Sequence, residues 1–156
     1  MNPEEAVEGP LLGVKVIIGF HLVSLLLWLV GQTGAVVAYD TVAGWGLQDP
    51  RNLLDPAIVE VNRGIGLADT LVMLPLHAAA ALGLWKGRFY GVVTSWMVFG
   101  VTVYWPLVFW CSQYFFDRAG VTYNPTGPAA VLLPGIFLLV AVWGTWYLAR
   151  NRHRFQ

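Results

Sequence analysis

Between Phe89 and Gln113 the chain runs for 25 residues without a charged side chain. A helix of that length rises to about 37 Å, and the hydrocarbon core of a bilayer is about 30 Å thick. Three further segments share this character. They are Leu11–Tyr39, where Lys15 is the one charge, Ile65–Trp85, broken by Asp69, within a helix that opens at Pro56, and Ala129–Ala149. Only 12% of the chain is charged, against about 25% in soluble domains, and the apolar excess lies in these long runs. The sequence therefore reads as an all-α integral membrane protein. It would be one membrane domain over residues 1–156, a bundle of four transmembrane helices at about 11–39, 56–86 (apolar from 65), 89–113 and 129–149.

The connections fix the topology. Residues 40–55, DTVAGWGLQDPRNLLD, hold turn formers and three aspartates and read as a structured aqueous segment. Asp55 followed by Pro56 is an N-cap and a first helical residue. A helix from there to Lys86 is longer than the hydrocarbon, so its first turns stand outside or it bends at Gly64–Gly66. KGR (86–88) is a tight loop, and residues 115–128 form another aqueous loop. Four crossings place both termini on one side. Lys15, Lys86, Arg88, Arg150, Arg152 and Arg154 mark that side, while Arg51, Arg63 and Arg118 mark the other. The bias in basic residues puts the termini in the cytoplasm, with the plasma membrane as the expected location, and turns the 40–64 segment outward. Residues 1–10 carry no basic residue, so the first run reads as a retained helix rather than a secretory signal.

Several functions are excluded. The formal net charge is zero and no basic patch interleaves with aromatics, which argues against a nucleic-acid partner. Cys111 is the single cysteine, so an intrachain disulfide, a cysteine metal cluster and a paired-thiol redox centre are ruled out. It reads as a small buried apolar residue. No C-x-x-C-H stretch occurs for covalent haem attachment.

Polar residues inside membrane helices usually face the bundle interior, so their spacing maps the inner faces. His21, Ser24, Trp28, Gln32 and Tyr39 form one stripe. Arg63, Thr70 and His77 are spaced by sevens, with Asn62 and Asp69 in the adjacent row. Met97, Tyr104 and Cys111 share a row on the third helix. The fourth helix has almost nothing polar except Thr145, which suits packing or docking to another subunit.

Three functions fit this pattern. In the first, Gln32, Asn62, Arg63, Asp69, Thr70, Tyr104, Trp28 and Trp105 line an outward-opening polar and aromatic cavity. It would bind a small amphipathic or lipidic molecule, although the same polar groups could instead clamp the outer segment to the bundle. Asp69 lies about one turn into the hydrocarbon and needs a partner there. In the second, His21 and His77 sit at equal depth on antiparallel neighbours and serve as axial ligands of a b-type haem. In the third, the chain is an accessory subunit, or a homo-oligomer, joined through the fourth helix. The reading leans away from an enzyme, because Ser24, three residues after His21, is the nearest approach to a nucleophile–base pair.

Overall fold

A computed structural model of the chain describes residues 11–123 and 128–156. These are helical, with no strand among them, and four of the helices are long and apolar enough to span a membrane. We number the helices α1 (Leu12–Val37), α2 (Tyr39–Gly44), α3 (Pro56–Trp85), α4 (Phe89–Ala119) and α5 (Ala129–Asn151). α3 packs against both α1 and α4, and α5 packs against α4 and touches α1. The acidic stretch at 1–10 and residues 124–127 of the last loop lie outside the described residues.

α3 starts as its sequence implies. Asp55 accepts a hydrogen bond from the Ala57 amide at 2.9 Å, and Pro56 opens the helix. The helix continues through Gly64 and Gly66. Gly66 is buried, and a Cβ there would meet the Gln32 carbonyl at 2.7 Å, so it admits the backbone of α1 where the sequence suggested a bend.

α1 departs further from expectation. Trp28–Thr33 is a π-helical turn. The helix ends at Val37, because Ala38 leaves helical geometry at φ −150° and ψ 55° and Tyr39 begins α2. Gly34 makes room for that reversal, since a Cβ there would meet Val42 of α2 at 2.5 Å.

α4 extends past Gln113 through Tyr114–Ala119, residues the sequence placed partly in the loop. It closes in a Schellman motif. The Val121 amide donates to the Phe116 carbonyl, the Gly120 amide donates to Asp117, and Gly120 takes φ 67°. The α3–α4 hairpin is tight because Gly83 and Gly91 face each other, and a Cβ on Gly83 would meet the Gly91 Cα at 2.5 Å.

The two ends of the bundle differ. At one, Gly13 of α1 lies against the Tyr147 ring, and the tail folds back so that the Phe89 amide donates to Gln156 at 2.8 Å. Here Ile17, Leu84, Val92, Val98, Phe99 and Leu148 form a closed core. At the other end α2 and the segment up to Asp55 cover the bundle over a smaller core of Ala35, Tyr39, Leu54, Ile58 and Val59. The Asp55 amide donates to the Thr122 carbonyl there at 2.9 Å.

Candidate functional site

The polar interior begins with a hydrogen-bonded chain across three helices. Trp28 Nε1 of α1 donates to His77 Nε2 of α3 at 3.1 Å. An indole nitrogen only donates, so His77 Nε2 is the acceptor, and in the neutral ring Nδ1 carries the proton. His77 Nδ1 then donates to His21 Nδ1 at 3.0 Å. That leaves His21 Nε2 protonated, and it donates to Ser95 Oγ of α4 at 3.0 Å. Ser95 in turn donates to the Gly91 carbonyl at 2.7 Å. One tautomer assignment thus satisfies every imidazole nitrogen with both rings neutral. His21 and His77 are 0% and 1% exposed, and Phe99 stacks on His21 with centroids 5.5 Å apart.

This geometry differs from that of an axial haem pair. Two imidazole nitrogens on opposite sides of a metal stand about 4 Å apart, given metal–nitrogen bonds of about 2 Å, with the porphyrin between the rings. Here two nitrogens are bonded directly to each other and the remaining two are held by Trp28 and Ser95. No porphyrin plane fits between rings joined in this way. The equal depth read from the sequence was sound, but it brings the rings to each other.

Below Trp28 and His77 lies an inner cavity of about 230 Å³. α1 contributes Phe20, Ser24 and Trp28, and α3 contributes Asp69, Met73 and His77. α4 supplies Thr102, Trp105 and Pro106, and α5 supplies Leu133, Pro134 and Phe137. The fourth long helix is therefore part of the cavity wall as well as packing. Two polar groups here have no partner among the described residues. Ser24 is 2% exposed and its hydroxyl makes no hydrogen bond, and no side chain pairs with the Asp69 carboxylate. The partner that its depth calls for is thus not found among the described residues.

An outer cavity of similar size, also about 230 Å³, adjoins the α2 segment. Gln32, Gln48, Asp49, Asn62 and Tyr123 give it a polar wall, and Trp105 is common to both chambers. Burial pushes the Tyr123 phenol up to about 12, with Asp49 and Tyr39 adding to the effect, so it stays a neutral group at ordinary pH. Burial likewise raises the Asp49 carboxyl above its usual value.

The eight residues expected to form one ligand site are thus distributed. Gln32 and Asn62 line the outer cavity, Trp28 and Asp69 the inner one, and Trp105 both. Arg63 points elsewhere. It donates to Glu60 at 2.8 Å and to the Val36 carbonyl at 3.2 Å, and with Arg51 and Asp40 it ties the outer segment to α1 and α3. Thr70 donates to the Gly66 carbonyl at 2.7 Å and accepts from Thr33 at 2.9 Å, so it too joins helices. Tyr104 is 64% exposed and lines neither cavity. Met97 and Cys111 accompany it on the outer face, so that row was read correctly but turned the wrong way. The inner face of α4 is instead set by Gly91, Val92, Ser95, Val98 and Phe99.

Sequence reasoning missed Ser95, Thr102 and Phe137. The pair Gly91 and Ser95 carried a signal, being small residues one turn apart where a neighbour approaches closely. No family model matches this chain, and neither a curated protein nor a solved structure matches it.

Proposed function

We propose that this protein is an integral membrane protein that binds a small amphipathic or lipidic molecule. One polar end sits in the outer chamber, and its largely apolar body lies in the inner one, against an aromatic wall that also carries the Asp69 carboxylate. The observation that supports this reading is the pair of adjoining cavities sharing Trp105, one polar and one apolar, an arrangement typical of sites for such ligands. Gln32 and Asn62 would hold the polar end, with Trp28 and Trp105 flanking the body. Arg63 and Thr70 would act through the fold, and Tyr104 would face lipid. In this reading the bundle end bearing Lys15, Lys86, Arg88 and the tail arginines faces the cytoplasm of a plasma membrane, which opens the polar chamber outward. The exposed apolar face of α5, including Leu132, Ile136 and Leu139, would contact lipid.

The test is native mass spectrometry of protein extracted from its own membranes in mild detergent. An organic adduct is expected. It should be lost when Val101→Trp fills the inner cavity from its partly exposed rim, and weakened by Asn62→Leu, with melting temperatures maintained. A wild-type protein free of adduct, or an adduct that survives Val101→Trp, would overturn the reading.

A further inference from the structure

We infer that the inner cavity selects a ligand carrying a positively charged amine, with Asp69 as its counter-ion; this rests on the binding reading above and assigns the ligand's charge. The argument comes from which hydrogen-bonding groups on the wall are already engaged. The Trp28 N–H goes to His77, and both His77 nitrogens are occupied. The Thr102 hydroxyl donates to the Val98 carbonyl at 2.9 Å. No lysine or arginine lines the cavity. The donors left over are neutral ones, the unpartnered Ser24 hydroxyl and the Trp105 indole.

Acceptors, in contrast, remain open. Asp69 has no partner among the described residues, and an unpaired carboxylate within a membrane helix is costly unless a cation or a proton answers it. Pro106 has no N–H, so the Thr102 carbonyl one turn before it lacks its ordinary helical donor. Ser24 Oγ is both nine-tenths buried and unpartnered. A wall with open acceptors, one unpaired acid, no lysine or arginine and a histidine already engaged at both nitrogens suits a ligand that donates.

Aromatic rings strengthen the same choice. Phe20, Trp28, Trp105 and Phe137 line the cavity, and ring faces attract ammonium groups. The size is that of a small organic amine. A cavity of about 150 Å³ holds benzene, and this one is about 230 Å³.

The experiment compares three probes of one shape and different charge: 2-phenylethylamine, 2-phenylethanol and phenylacetate. Each is titrated into the purified full-length protein, and intrinsic tryptophan fluorescence is followed, since Trp28 and Trp105 border the site. Binding of the amine at least tenfold tighter than the alcohol, with phenylacetate weakest, is expected. In Asp69→Asn the amine should fall to the level of the alcohol, while the alcohol binds as in the wild type. Equal binding of amine and alcohol, or preference for phenylacetate, would overturn the charge assignment and leave the amphipathic-ligand reading standing. If none of the three binds, the charge assignment is overturned too, and the fate of the broader reading follows from the adduct measurement. The wild-type comparison needs no variant, so it decides the matter even if Asp69→Asn does not fold.

Discussion

His77 and Asp69 lie eight residues apart on α3 and border the same cavity. One has both nitrogens engaged in a chain that runs from Trp28 to the Gly91 carbonyl. The other offers a carboxylate that nothing described in the protein answers. The histidine's bonds close within the protein and serve the fold, and the open carboxylate is the group on which the proposed ligand charge rests. The difference also follows the ends of the bundle. The histidine chain adjoins the closed core around Phe99 and Leu84, whereas Asp69 lies toward the hollow half.

The strongest challenge to this comparison is His77→Ala. It leaves the Trp28 N–H and His21 Nδ1 buried without partners and opens a cavity, so a loss of about 2–5 kcal/mol is expected in detergent unfolding. An unchanged unfolding midpoint would show that the chain is not part of what holds the helices. Asp69→Asn should move the other way. Removing an unpaired carboxylate should raise the stability of ligand-free protein by about 1 kcal/mol, and a measured drop would mean that Asp69 has an internal role. Arg63→Leu should lower stability by roughly 1 kcal/mol, since its pair with Glu60 is half-exposed, and leave probe titrations unchanged. Altered probe affinity would return Arg63 to the ligand site.

The smallest effect concerns the outer chamber. Burial holds the Asp49 carboxyl above its ordinary 3.8. A raised carboxyl favours the folded state while protonated. That contribution is complete below the ordinary value and is lost as pH rises through the folded one. Melting temperature should therefore fall slightly as pH rises from about 4 to about 7, and Asp49→Asn should flatten that slope.

The four long helices were legible because apolar runs of this length have few other uses, and the Asp55–Pro56 start was legible because caps are local. The partnership of His21 with His77 was half legible. Their depth could be counted along two helices, but ring orientation depends on Ser95 and Trp28, which no spacing rule joins. Tyr104 was misplaced because a polar row was assumed to face inward, whereas on α4 the inner face is Gly91, Val92, Ser95, Val98 and Phe99. Arg63 and Asp69 looked like one cluster in sequence. They separate in space because six residues of helix turn them to different neighbours, Arg63 toward Val36 and Asp69 toward the cavity. The stripe on α1 was drawn with one uniform period, and a π-helical turn in its middle has no reliable sequence sign.

That turn has a consequence for how the chain tolerates change. A π turn holds more residues per revolution than the α-helix around it, so it shifts the angular phase of everything on one side relative to the other. His21 and Ser24 belong to one phase and Ala35 to the next, with Trp28 and Gln32 inside the turn itself. Straightening these six residues into plain α-helix, with none lost, would leave hydrophobicity unchanged and alter the length little. It would also rotate the two halves of α1 against each other, so that the inner and outer chambers could no longer both be met by the same helix.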